Sequence, residues 1–360
     1  MINKDKNILF ISGIQYGYSS DYYYYTRYLS SFFNVYIISR NQGLPSIKPG
    51  SVHNIEFKLL KNKILRHFIF IRQILGHLKN NQYDLIFVNF FYFNWLLPLV
   101  FRNKKFVLDI RSGGVGNKQY KRFLKNIRIK YSLMAFNKAV VLSDSLARKL
   151  GIPENKYDVL PLGAEILSTK NKMFNTLHLL YIGTFQGRRI HETIEGFARF
   201  CRDIPGYHTY TLIGHGHHKD IEPFRKAIKK YKMQNQIFYV GRLHHDQAKK
   251  YFDGCNVGVS YVPITSYYNV QPPTKTFEYL CSGLPVIATK TTENRKVINE
   301  HTGTLIQDNS ESFYKGLLEI WKNRKNYNSE SIRQYASQFT WEKIVKNILV
   351  PFIKANTESY

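Results

Sequence analysis

The chain has 360 residues, 44% of them apolar, and carries 52 Lys and Arg against 25 Asp and Glu, for a net charge of +27. That length and apolar content exclude a disordered chain and predict two globular domains with ample cores. The charge predicts an anionic partner: nucleic acid, anionic lipid or a phosphorylated ligand.

From the N-terminus, "NILFISG" reads as a strand followed by the glycine-bearing turn "IQYGYSS", with Gly13 and Gly17 where backbone can approach a ligand. Lys4, Asp5 and Lys6 precede only a strand-length apolar run, so no signal peptide is expected. A helix at "DYYYYTRYLSSFF", a strand at "NVYIIS", a helix at "IRQILGHLKN" and strands at "YDLIFVNF" and "KFVLDI" follow. The most apolar stretch, Val88 to Phe101, holds two asparagines and a proline and is too short to span a bilayer. "DIRSGG" gathers Asp109, Arg111, Ser112, Gly113 and Gly114 at a strand end, a site or simply a loop before the next helix. Strands at "AVVLSD" and "YDVLPLG" close a βαβα pattern that predicts a doubly wound parallel sheet.

Residues 165–176 are polar and patternless and read as a linker. The alternation then restarts with "LHLLYIGT", "YTLIGHG", "IFYVGR", "VGVSYVP", "LPVIAT" and "GTLIQD" as strands with helices between them. The expected organisation is an N-terminal Rossmann-like domain at 1–164, a C-terminal one at 177–335, and a helical tail at 336–360. Ligands of such sheets bind at the carboxyl ends of the strands, and two domains predict a site in the cleft between them.

Neither half has G-x-G-x-x-G after its first strand, which argues against a dehydrogenase, and no Walker loop, serine elbow or Cys-His pattern appears. Cys201, Cys255 and Cys281 have no metal or redox spacing and fit a reducing cytoplasm. His215, His217, His218, His244 and His245 lack the helical spacing of metal ligands and read as loop residues; no metal is expected. Arg188 and Arg189 stand after a strand end, where two guanidiniums can clamp a diphosphate or form a plain basic surface.

The most informative stretch is "QPPTKTFEYLCSGLPVIAT". A proline opens a helix, Phe277, Leu280 and Cys281 make its buried face, and Gly283 closes it. Thr274 and Lys275 fall in the first turn, where free N–H groups favour a phosphate. Glu278 lies four residues on, about 6 Å along the axis, where a carboxylate would repel phosphate but accept the hydroxyls of a ribose. A solvated Glu-Lys pair on an ordinary helix is the other reading.

These segments, with "LIGHG", "VGRL", "GTLI" and the "FTWE" tail, resemble the family-4 retaining glycosyltransferases with the GT-B fold. The resemblance covers nearly the whole chain and is strongest from Leu177 to Ile306. It implies two Rossmann-like domains facing a central cleft, a C-terminal helix, and a UDP- or GDP-linked sugar as co-substrate with no cofactor. Glu278 would hold the ribose hydroxyls, and Thr274, Lys275 and Arg188 the diphosphate. Gly17, Gly183, Arg189, Leu243 and Thr276 would complete the donor site. The family's second acid is here Val270, and its N-domain histidine appears as Arg111, placed with the catalytic group. Retention of anomeric configuration is implied by the family alone.

The function expected is transfer of a sugar from a nucleotide sugar to a saccharide acceptor, lipid-linked, in bacterial surface-polysaccharide synthesis. The alternatives are a nucleotide-sugar epimerase of the same fold and a basic nucleic-acid-binding protein on a degenerate scaffold. No nucleic-acid signature supports the latter, and nucleic acid is not an expected partner. In "KQYKRFLKNIRIKY", Lys118, Lys121, Arg122, Lys125, Arg128 and Lys130 occur with no acid. Tyr120, Phe123, Leu124, Ile127 and Tyr131 form one helical stripe, expected to pack on the domain and leave a basic face. That face predicts peripheral binding to anionic lipid on the inner side of the cell membrane.

Overall fold

The computed structural model describes residues 5–58, 62, 65–116, 118–243 and 245–358. By contact it divides into two units: unit 1 runs to Leu162 and takes in the segment from Trp341 onward, and unit 2 runs from Gly163 to Thr340.

Unit 1 alternates β1 (Asn7–Ile11), α1 (Ser20–Leu29), β2 (Asn34–Asn41), β3 (His53–Lys58), α2 (Leu65–Asn80), β4 (Leu85–Asn89), α3 (Leu96–Val100), β5 (Phe106–Ile110), α4 (Gln119–Ala135), β6 (Lys138–Val141), α5 (Asp144–Leu150) and β7 (Tyr157–Val159). The strands pair in parallel in the order β3-β2-β1-β4-β5-β6-β7. β1, β4 and β5 are almost wholly apolar and buried, as central parallel strands covered on both faces must be. In the tyrosine run of α1, Tyr22, Tyr25, Thr26 and Leu29 are buried at i, i+3, i+4 and i+7.

Unit 2 repeats the scheme with β8 (His178–Ile182), α6 (Ile190–Asp203), β9 (Thr209–Ile213), α7 (His218–Lys230), β10 (Ile237–Gly241), α8 (His245–Gly254), β11 (Val257–Ser260), α9 (Thr274–Cys281), β12 (Val286–Thr289), β13 (Gly303–Ile306), α10 (Ser310–Asn323) and α11 (Ser329–Ala336). Its six strands are parallel in the order β10-β9-β8-β11-β12-β13. Tyr181, Tyr210, Tyr261 and Tyr279 are fully buried in this unit. These tyrosines therefore build a core and offer no platform for stacking bases.

The C-terminal segment is α12 (Trp341–Ile344), a π-helical turn at Val345–Leu349, and α13 (Val350–Thr357). Sequence predicts one continuous helix here. Pro351 has no N–H to continue the ladder, and the widened turn before it accommodates that loss. Trp341 stacks on Tyr24 at 5.2 Å and Phe352 meets Phe87 at 5.9 Å, which ties the segment to unit 1.

α4 departs from its expected packing. Tyr120, Phe123, Leu124 and Tyr131 are exposed, and the buried residues are Ile129, Ser132 and Leu133. Its inner face is completed by Lys125, whose Nζ donates to Ser112 Oγ (3.0 Å), and Asn126, which accepts from Gly114 N (2.7 Å). The 3.6-residue period identifies a stripe, but the position of the neighbouring loop selects which stripe is covered.

Candidate active site

The strand order of unit 2 reverses between β8 and β11, and in open α/β sheets the carboxyl edge at such a reversal is where ligands bind. β8 ends there in Gly183, whose φ of 137° suits glycine. A Cβ at Gly183 would lie 3.4 Å from the Nζ of Lys275, so the two elements meet closely. The loop beyond is fixed by Phe185 N donating to His215 O (2.8 Å) and Gly187 N donating to Asp220 Oδ1 (3.2 Å). It delivers Arg188.

β11 leads to α9, which starts at Thr274 after an extended Pro273. The placement of α9 rests on glycine. A Cβ on Gly258 of β11 would fall 2.3 Å from the Tyr279 ring, so only glycine lets that ring lie on the sheet. The Tyr279 hydroxyl in turn accepts from Ile182 N (2.9 Å), pinning α9 to the end of β8.

Lys275 and Arg188 thus converge. The residue Lys275 keeps some exposure, but its Nζ is buried, lacks a hydrogen-bond partner, and lies 3.5 Å from the centre of the Tyr181 ring. Burial pushes its pKa well below the ordinary lysine value, the nearby Arg188 pushes it further, and Glu278 pulls it back. Arg188 lies over Tyr268 at 4.0 Å, with Nε and Nη1 buried and unpartnered. Buried donors without acceptors are costly, and two cations side by side are more so. An anion with several acceptor oxygens satisfies both. Glu278 is half-buried one turn along the same helix.

The other expected residues fall differently. Thr274 is half-buried in the first turn of α9. Thr276 does not join the site. It is fully buried, its hydroxyl donates to Asn294 Oδ1 (3.0 Å) and meets Ser260 Oγ (2.7 Å), and its N–H bonds to Pro273 O. Two residues on from Thr274 is the opposite side of a helix. Arg189 is also turned away, with φ of 51° and its guanidinium on Asp308 (3.3 Å) and Glu192 (3.6 Å). It ties α6 to the loop after β13, leaving Arg188 as the guanidinium beside Lys275. Leu243 is half-buried just beyond β10. His244 and the side chain of His245 lie outside the described residues, and no three His, Cys, Asp or Glu side chains group as metal ligands among those described.

In unit 1, Gly17 (φ 86°) abuts Ile47. Arg111 is enclosed: it pairs with Asp21 (3.2 Å) and Asp109 (3.7 Å) and donates to Leu160 O (2.7 Å). Asp109 is 1% exposed, and burial pushes its carboxyl up to about 7 against the opposing pull of Arg111. These contacts join α1, β5 and the exit of β7, so the expected convergence at "DIRSGG" is an internal tie. Of the basic residues on α4, Lys118, Lys121 and Arg128 are exposed, whereas Arg122 donates to Gly116 O (2.6 Å) and Lys125 is half-buried. Sequence reasoning missed Tyr181, Tyr268 and Asp220. Nothing in an isolated strand or loop marks an aromatic ring as the floor under a distant cation.

The whole chain superposes on solved structures that share little sequence with it. Sucrose-phosphate synthase from Thermosynechococcus elongatus aligns with a TM-score of 0.76 at 17% identity, over 98% of this chain and 100% of that one. A glycosyltransferase from Rickettsia africae gives 0.76 at 15% identity, over 99% and 100%. Anabaena HepE in complex with UDP and glucose gives 0.73 at 13%, over 96% and 99%. Residues 176–323 match the family model of group 1 glycosyl transferases. The chain has the GT-B fold and carries a group 1 glycosyl transferase domain. No curated protein sequence matches it. The family match contains Arg188, Lys275 and Glu278, so the orphaned cations lie within the matched domain.

Proposed function

We propose that this chain moves a sugar from a nucleoside-diphosphate sugar to a saccharide acceptor carried on a lipid, in assembly of a bacterial surface polysaccharide. The observation that carries the donor reading is the pair of buried, unpartnered cations, Arg188 and Lys275, at the strand-order reversal of unit 2. Cleavage between the sugar and the diphosphate leaves negative charge on the departing phosphate. Arg188 and Lys275, held by Tyr268 and Tyr181, are in place to meet that charge as it develops. Thr274 and the first-turn N–H groups of α9 add to them, and Glu278 accepts the ribose hydroxyls one turn deeper. With the positive charge supplied by side chains, the reaction is expected to run without an added metal, and with retention, as the resemblance implies.

HepE is described with UDP-glucose, and another structure of this fold, at a TM-score of 0.69 and 14% identity, is the lipopolysaccharide outer core galactosyltransferase WaaB. The UDP-glucose bound to HepE favours this class of donor, and the lipopolysaccharide product of WaaB favours a cell-surface product. No described helix is long and apolar enough to cross a membrane. Exposed Lys118, Lys121, Arg128 and Lys130, beside exposed Tyr120, Phe123 and Tyr131, favour action at the anionic inner face of the membrane.

The test is release of nucleoside diphosphate from a panel of UDP- and GDP-sugars with lipid-linked and free saccharide acceptors, with and without EDTA. Transfer is expected with one donor and is expected to survive EDTA. Glu278→Ala should weaken UDP or GDP binding by about 1–3 kcal/mol in calorimetry. Undiminished binding in a folded variant would remove Glu278 from the ribose. Loss of transfer in EDTA, restored by a divalent cation, would overturn the charge argument.

A further inference from the structure

A second group of cations with unmatched donors lies in unit 1 and includes none of the residues assigned to the donor sugar nucleotide. Arg40, next to last in β2, is 6% exposed, and its Nε is buried without a partner. Its Nη2 lies 3.3 Å from His67 Nδ1. Arg66, beside His67 in the first turn of α2, also has a buried, unpartnered Nε. That turn carries no acid, and neither arginine makes an ion pair among the described residues. Burial and Arg66 pull the Arg40 guanidinium down to about 10, which still leaves it charged near neutrality. Burial and both arginines hold His67 below its ordinary value, which favours the neutral ring, able to donate from one nitrogen and accept at the other.

The cluster stands at the carboxyl edge of the sheet. The strand order β2-β1-β4 reverses between β1 and β4, and Phe91, just beyond β4, lies 5.9 Å from the Arg40 guanidinium and 3.4 Å from where a Cβ on Gly13 would be. An apolar cavity of about 500 Å³ adjoins it, lined among others by Phe90, Tyr92, Phe93, Trp95, Leu99 and Met134. Tyr92 joins the two: its ring is 4.9 Å from His67, and its hydroxyl accepts from Arg128 (2.9 Å). Leu99 and Met134 are 47% and 80% exposed, so apolar surface continues outward from the cavity.

We propose that this edge of unit 1 is a two-part site for a lipid phosphate, in which Arg40, Arg66 and His67 take the phosphate and the aromatic cavity takes the start of the hydrocarbon chain. Guanidiniums donate paired hydrogen bonds to phosphate oxygens, and the imidazole adds a third donor. A free anion leaves the cavity unused, and a neutral lipid leaves two buried guanidinium nitrogens, Arg40 Nε and Arg66 Nε, unmatched, so one molecule with both parts fits best. The inference rests on the lipid-linked acceptor proposed above and names the group by which that acceptor is held.

The test is equilibrium binding of a monomeric alkyl phosphate to the full chain, against inorganic phosphate and an alkyl maltoside of equal chain length. Alkyl phosphate is expected to bind at least about tenfold more tightly than either. Arg40→Gln changes a buried residue, so the variants that decide are the more accessible Arg66→Gln and Met134→Glu. Each should weaken alkyl phosphate severalfold while leaving UDP binding unchanged. Equal binding of alkyl maltoside, or of inorganic phosphate, would overturn the two-part site, as would unchanged alkyl phosphate affinity in Arg66→Gln. Transfer to a lipid-linked acceptor with an unaltered acceptor KM in Arg66→Gln would overturn this site and leave the acceptor class standing. Tight, Arg66-dependent alkyl phosphate binding without any such transfer would support the site and remove that acceptor class.

Discussion

Lys275 is the site cation whose protonation a bound anion would strengthen most. Burial and Arg188 favour its neutral form in the free protein, with the pKa well below the lysine value. A diphosphate favours the charged form. Between the free and the bound pKa, binding therefore takes up a proton, and affinity falls as pH rises through the bound value. Calorimetry of UDP or GDP in buffers of different ionisation enthalpy should show this uptake, and Lys275→Met should abolish it; uptake that persists in the variant assigns the proton elsewhere. The pKa of Asp109 is shifted the other way, upward. Its folded carboxyl, raised from 3.8 to about 7, keeps its proton where an unfolded one has lost it, because burial outweighs an Arg111 charge shared with Asp21. The folded state binds more protons across that window, so its stability falls as pH rises from about 4 to about 7. Thermal unfolding of Asp109→Asn should lose this slope, making the variant progressively more stable relative to the parent, by a few kcal/mol at most. A constant difference between the two from pH 5 to 8 would contradict it.

Among the elements, α9 has the most demanding seat. Gly258 leaves the room that Tyr279 fills, and the Tyr279 hydroxyl fixes the helix to β8. Gly258→Ala puts a methyl 2.3 Å from the ring and must move the helix or the strand. Overpacking of this kind costs about 1–3 kcal/mol, and the shift carries Lys275 and Glu278 with it. Denaturant unfolding should show the loss, and UDP affinity should fall more than it does in Tyr181→Phe. A variant of full stability and affinity would show that the sheet gives way without moving α9. At the start of α4 and along it, Lys118, Lys121 and Lys130 are exposed, whereas Arg122 and Lys125 are half-buried and bond within unit 1. Their replacement by Glu should release the protein from anionic liposomes in sedimentation, with donor binding intact. Near-surface basic residues contribute about 1 kcal/mol each, and added salt should act in the same direction. Sedimentation that is indifferent to lipid charge would remove this helix as the anchor.

Across the whole molecule, the sequence by itself determined the two doubly wound sheets, the start of α9 at the Pro-Thr-Lys stretch, and the glycosyl transferase character of the C-terminal domain. Apolar strand runs, helical periods and a proline at a first turn are local, so they are readable one segment at a time. It also brought Arg188, Lys275 and Glu278 forward, because strand ends and helix starts are where such sheets present ligand groups. Tertiary structure alone decided which neighbours count. Arg188 and Arg189 are adjacent in sequence, yet one is orphaned over Tyr268 and the other is committed to Asp308 and Glu192. Thr276 shares a helix with Lys275 and faces inward to Ser260 and Asn294. The exposed stripe of α4 has the same period as a buried one. Arg40, Arg66 and His67 give no motif, since they meet across a strand end and a helix start 26 residues apart at their nearest, from Arg40 to Arg66. Whether a side chain has a partner depends on groups distant in the chain, and burial then turns that fact into energy: a partnered cation is part of the scaffold, and an unpartnered one waits for a ligand.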